Sequence, residues 1–190
     1  KPFIRAGYDW SDYLSNSLRS SSGYNVNAGA KFDFGGVITA NAYAGYKGRD
    51  YYNYASGGVN VFDFGADVLW NVTELTSIEV ETSRGIEETT LGGAAVPTSS
   101  NAYVATGGSF TVTHELLRNV ILELNGSYTN NDFKNSTRND DQIGAGLGGR
   151  YYINRNFYTD LTYDYTKRMS NAVNSDYDHH VVLLRVGAQY

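Results

Sequence analysis

Apolar and polar residues alternate along most of this chain with a period of two, the spacing that sends successive side chains of a β-strand to opposite faces. The clearest run is 180–190, where Val182, Leu184, Val186, Ala188 and Tyr190 share one face and Val181, Leu183, Arg185, Gly187 and Gln189 the other. The first run sets Ile4, Ala6, Tyr8 and Trp10 against Phe3, Arg5, Gly7 and Asp9. A second sets Tyr24, Val26, Ala28, Ala30 and Phe32 against Asn25, Asn27, Gly29, Lys31 and Asp33, and a tight turn at Gly35-Gly36 leads into a third, Ile38 to Tyr46. The fourth places Phe62, Phe64, Ala66, Val68 and Trp70 opposite Asp63, Gly65 and Asp67, and the fifth places Ile78 and Val80 opposite Glu79 and Glu81. Further runs cover about 102–113, Leu122 to Tyr128, Ile143 to Tyr151, and Phe157 to Tyr165.

Ten strands are predicted, most of them longer than the roughly five or six residues usual in soluble sheets. Connections after odd strands read as long and polar (about 11–22, 49–58, 87–100, 130–141 and 167–176). Those after even strands are short, near 35–36, 71–74, 114–119 and 154–156. Long strands with alternating long and short connections are what an antiparallel up-and-down transmembrane β-barrel produces, with extracellular loops at one end and tight turns at the other. Composition agrees: 17 Tyr and 21 Gly stand against 2 Pro and no Cys. The mean hydropathy of -0.41 does not argue against a membrane, because only every second residue of such a strand meets lipid. A soluble sandwich or jelly roll also places Tyr and Trp on strand faces, but it rarely sustains strands of this length. The net charge of -5 and the lack of a basic stripe speak against a nucleic-acid partner. The absence of Cys excludes a disulfide scaffold or a thiolate site.

The alternation assigns roles. Arg5, Asp9, Lys31, Asp33, Lys47, Asp63, Asp67, Glu79, Glu81, Glu123, Arg150, Asp160, Asp164 and Arg185 point away from the apolar face, into a lumen where water or one another must satisfy them. They line a polar path or form a plug of salt bridges. Trp10, Trp70, Phe157, Tyr163 and Tyr190 fall near the ends of apolar rows and suit membrane-interface girdles. Tyr13, Tyr51, Tyr52 and Tyr54 fall in predicted loops, where exposed rings could stack on a glycan. His179 and His180 alternate faces and cannot share a strand-borne metal site, and His114 belongs to the opposite end. Gly144, Gly146, Gly148 and Gly149 are followed by neither a helix nor a Lys-Ser/Thr pair, so they are no phosphate loop. Neither catalysis, a metal nor a cofactor is called for.

Several phrases carry a family likeness: Arg5-Ala6-Gly7-Tyr8, Leu69-Trp70-Asn71-Val72-Thr73-Glu74-Leu75-Thr76, Arg84-Gly85-Ile86-Glu87-Glu88-Thr89, His114-Glu115-Leu116-Leu117-Arg118-Asn119, Arg150-Tyr151-Tyr152-Ile153-Asn154-Arg155-Asn156, and the final strand. Together they resemble a family of bacterial outer-membrane β-barrel porins associated with exopolysaccharide gene clusters. Its members are longer, so the resemblance implies either a single barrel domain over 1–190 or the C-terminal half of a larger one. The final strand departs from the pattern in carrying Arg185 where glycine is usual, with Gly187 instead. The resemblance implies a passive pore or a polysaccharide export conduit, with outer-membrane lipid, the barrel-insertion machinery, and polysaccharide or other envelope proteins as partners. A structural or adhesive surface protein with a plugged barrel is the alternative, its loops binding another protein or a glycan.

Overall fold

A computed structural model describes residues 1–14, 20–52, 58–88 and 102–189, and every regular element in them is a strand. The strands are β1 (Pro2–Ser11), β2 (Ser21–Phe34), β3 (Ile38–Tyr51), β4 (Val59–Thr73), β5 (Thr76–Glu88), β6 (Ala102–Leu117), β7 (Val120–Phe133), β8 (Asn139–Tyr152), β9 (Phe157–Ser170) and β10 (Tyr177–Ala188). They form one antiparallel sheet whose order is the chain order, each strand pairing with the next. Among the described residues β1 and β10 each have a single ladder neighbour. The hydrophobic alternation therefore yields the predicted up-and-down meander.

Register keeps the two faces separate across the sheet, because residues directly opposite on neighbouring strands share a face. Lys31 pairs with Asn41, Asn41 with Asp67, Asp67 with Glu81, and Glu81 with Ser109. The same holds for Phe32, Ala40, Val68, Val80 and Phe110 on the other side. That apolar face is uncovered: Leu184 and Val186 are 67% and 73% exposed, and Leu147 and Leu161 are also open. So continuous an apolar surface is far larger than a soluble monomer carries, and lipid is the solvent that suits it.

The turns follow local chemistry. Gly35 and Gly36 both have positive φ (65° and 75°), a conformation that glycine adopts without the steric cost of a Cβ, and Asp33 accepts the Gly36 amide at 2.9 Å. Strand ends, however, lie beyond their expected limits. The Asn/Asp-rich stretch expected as a loop over 130–141 instead extends β7 to Phe133 and begins β8 at Asn139, leaving a five-residue connection. Its polar side chains bond across the ladder, Asn130 to Asp141 at 2.8 Å, so composition alone misread paired residues as loop. Likewise β3 runs on to Tyr51 and β9 to Ser170.

One irregularity shapes the interior. The β4–β5 ladder ends at Phe64 and Arg84, whereas β3–β4 continues to Arg49 and Val59, and β5–β6 to Glu88 and Ala102. Above that point the two leaves of the sheet part. Ile86, Ala102 and Val104, on the apolar side of β5 and β6, pack against Tyr51, Val59 and Val61, on the polar side of β3 and β4. The upper β5–β6 pair therefore lies inside the β3–β4 wall, and β5 comes against β3 as well as its ladder partners. This is where the buried apolar core sits, and Val104 is only 1% exposed.

Candidate functional site

The polar face brings together all fourteen charges that alternation assigned to a lumen, from Arg5 and Asp9 on β1 to Arg185 on β10. Two open hollows among the described residues lie on it. One, of about 340 Å³, is lined by Tyr43, Gly65, Asp67, Glu81, Ser83 and Gly107 among others. The second, of about 380 Å³, lies toward the short-turn end and is lined by Thr113, Glu123, Gly148, Arg150, Asp160 and Arg185 among others. Small residues make this space: a Cβ on Gly65 would meet the Tyr43 ring at 2.6 Å.

Charge is distributed unevenly over this face. Arg5, Lys31, Lys47 and Arg49 occupy β1 to β3, while Asp63, Asp67, Glu79 and Glu81 occupy β4 and β5. The acidic side is partly tied down by amides: Asn27 donates to Asp63 and Asn41 to Asp67, both at 2.8 Å. Arg5 lies over the rings of Phe3 and Tyr43, at 5.6 and 5.9 Å from their centroids. Toward β10, Arg150 donates from Nε and Nη2 to Asp160 at 2.7 and 3.2 Å, with its guanidinium 4.9 Å over Tyr158. Lys31, Asp33, Glu79, Glu81, Glu123, Asp164 and Arg185 make no ion pair with any described residue. A charge without an ionic partner needs water or other hydrogen-bonding groups to stay ionised.

Two ionic clusters sit at the long-loop end. In one, Asp140, 0% exposed, accepts Nε and Nη2 of Arg138, an Arg168 guanidinium nitrogen and the Ser170 hydroxyl. In the other, Arg49 donates from Nη1 to Glu88 at 2.7 Å and to Ser21 at 3.0 Å, and pairs through Nη2 with Asp9. Tyr13 adds its hydroxyl to Glu88 at 3.1 Å, and Lys47 donates Nζ to the Ile86 carbonyl at 3.1 Å. Sequence reading missed Arg49 and Glu88 by placing both in connections. The signal was there: Lys47 and Arg49 continue the polar alternation past Tyr46.

The loop aromatics divide. Tyr51 is a correction: it ends β3 and is buried at 7% in the Ile86–Val104 core, because the strand outlasts the apolar run that announced it. Tyr13 is half-buried and engaged by Glu88, Tyr52 is open at the turn after β3, and Tyr54 lies outside the described residues. Of the girdle residues, Trp10, Trp70, Phe157 and Tyr163 are exposed on the apolar side, and Tyr190 lies outside the described residues. His114 bonds the Thr76 hydroxyl and His180 the Tyr163 hydroxyl, both at 2.9 Å on the apolar side, while His179 is on the polar side opposite Thr166.

Comparison with known proteins gives the following. The family model described as Putative beta-barrel porin 2 matches residues 1–190. No curated protein sequence matches the chain. Among solved structures the chain is similar to outer-membrane expressed OmpT of Vibrio cholerae, with a TM-score of 0.57 and 12% identity over 99% of this chain and 61% of that one. It is also similar to the OmpT mutant lacking loop L8 (TM-score 0.55, 13% identity, 98% and 58% covered) and to the trimer form of in-vitro folded OmpT (TM-score 0.56, 11% identity, 91% and 65% covered). At these identities the likeness is one of fold. The chain spans between 58% and 65% of the length of these three structures.

Proposed function

The chain belongs to the Putative beta-barrel porin 2 family and hence to the bacterial outer membrane, and from that premise we propose that it forms the wall of a non-catalytic, water-filled pore. The observation that carries this reading is the set of polar-face charges that make no ion pair with any described residue, Lys31, Glu79, Glu81, Glu123, Asp164 and Arg185 among them, behind an outer face that only lipid suits. Water must reach those groups, and water continuous from end to end is a conduit. The cargo we propose is hydrophilic, either small polar solutes diffusing passively or a polysaccharide strand being exported. Export draws support from the open Tyr52 at the long-loop end, a ring on which a sugar can stack.

A second reading, an occluded barrel serving as a structural or adhesive surface protein, is favoured by one feature, the β5–β6 pair folded against the inner wall. Planar-bilayer recording of the native protein separates the two. The pore reading expects steady openings that a denatured sample lacks. Silence from protein that still migrates as a heat-modifiable folded band would overturn it in favour of the occluded barrel. Export is tested apart from conduction: Tyr52→Ala is expected to weaken glycan binding, and unchanged binding and export would leave only passive diffusion.

A further inference from the structure

We propose that the upper β5–β6 pair is the element that sets the width of the lumen, and that Arg49 is the positioning residue holding it against the inner wall. This rests on the pore reading above. The geometry has three independent parts. First, the pair has parted from β4: Phe64 and Arg84 are the last β4–β5 partners, although both strands continue beyond them, while β6 stays on its β7 ladder as far as Tyr103 and Phe133. Second, the side of the pair that continues the lipid-facing row now packs inward, Ile86 and Val104 on Val59 and Val61. An arm in that position takes up space that would otherwise be lumen.

Third, the contacts that hold the arm are specific and ionic. A β5 strand that has lost its β4 ladder must satisfy its backbone elsewhere, and Lys47 Nζ takes the Ile86 carbonyl. Arg49 then joins the arm to the wall on both sides. Nη1 donates to Glu88 at the arm's upper end and to Ser21 on β2, and Nη2 donates to Asp9 on β1. Its side chain is 13% exposed, so the three contacts are only partly open to water and screening. Tyr13, bonded to the same Glu88, ties in the segment after β1. Among the described residues the buried apolar cluster between arm and wall is small, Ile86, Ala102 and Val104 against Tyr51, Val59 and Val61, so a change in the ionic set is enough to loosen it. At Gly85, next to the last β4–β5 pair, a Cβ would find only Asp63 Oδ1 at 3.7 Å, so the β5 edge has open space where it parts from β4.

The chain has no cysteine, so a single introduced thiol reports on the arm without background. Val61→Cys places it on the wall beneath the arm, at a residue 8% exposed. In native protein purified from membranes, labelling of this thiol by a water-soluble maleimide is expected to be slow. With Arg49→Ala it should speed up about tenfold, the shift expected when hydrogen bonds to a charged group are lost. Arg49→Lys should restore slow labelling in part. Single-channel conductance and the size limit for sugars in liposome swelling should rise and return in step. Glu88→Gln, which leaves Arg49 in place, repeats the test if Arg49→Ala fails to give a heat-modifiable band. Unchanged labelling in the folded variants would overturn the proposal. Faster labelling with unchanged conductance in a conducting protein would also overturn it, since the arm would move without setting the width. Silent channels in every folded variant, native protein included, would instead bring down the pore reading, and with it the width-setting role, whatever the labelling shows.

Discussion

Asp67 and Glu81 stand directly opposite each other on the β4–β5 ladder, both on the polar face and both lining the same hollow. Like charges in that position destabilise a sheet by up to about 1 kcal/mol, so nothing in folding calls for the pair. A lumen that favours cations does. The double variant Asp67→Asn with Glu81→Gln is expected to fold at least as well as the natural protein and to lose cation preference. The measurement is the reversal potential under a salt gradient. An unchanged value in conducting channels would remove both residues from the permeation path.

Asp140 makes the opposite prediction. It is enclosed with Arg138 and Arg168, and removing its charge takes away the carboxylate that both guanidinium groups bond. Asp140→Asn should cost about 3–5 kcal/mol, the range for breaking a buried pair from one side. Asp141→Asn, its neighbour on the other face, loses contacts to Tyr128 and Asn130 in the open and should cost about 1 kcal/mol or less. Urea midpoints in detergent micelles measure both. Equal shifts would mean that Asp140 is not held as described.

The two faces should differ in their tolerance of charge. Leu147→Arg sets a guanidinium on the lipid side, at a position 58% exposed, and should cost about 2–4 kcal/mol. Ser127→Arg, on the polar face one strand away, should leave stability nearly unchanged and alter selectivity instead. Folding yield into vesicles measures the first, and reversal potential the second. A well-tolerated Leu147→Arg would mean that the apolar face does not meet lipid.

Strand proximity gives a steric test. A Cβ at Gly45 would collide with the Val26 carbonyl oxygen and the Asn27 backbone, which cannot swing aside as a side-chain end can. Gly45→Ala is expected to cost about 1–3 kcal/mol by over-packing. Gly149→Ala meets only Leu122 Cδ2 at 3.6 Å and should be nearly neutral. The difference in urea midpoint between the two variants is the readout.

The meander and the face of every charge assigned to the lumen were legible in the sequence, because a period of two is a local property that each strand carries by itself. Strand ends were not. Asn130, Asn139 and Asp141 have loop-like composition, yet they bond to one another across a ladder, and such pairing depends on a partner strand that no local window contains. Glu87 and Glu88 extend β5 for the same reason, the next strand being there to pair with them. The arm was invisible on a second ground. Ile86 and Val104 obey the same alternation as the lipid-facing Ile78 and Phe110, and only the end of the β4–β5 ladder reveals that their side of the strand now packs on protein. Arg49 belonged to the same blind spot, a charge whose partners sit on β1, β2 and β5.

Because each strand of this sheet pairs with the next one in the chain, assembly need never wait for distant segments to meet. Each ladder closes only one connection, an entropic cost that grows slowly with its length. Hairpins can therefore be added one after another as the chain enters the membrane, each new strand finding its template already in place. The exception is the tucked β5–β6 pair, whose seat is built from β3 and β4 and whose fastening reaches back to β1. Its docking must come after β1 to β4 are in place and joins residues far apart in the chain, which makes it the slow phase to look for in refolding kinetics.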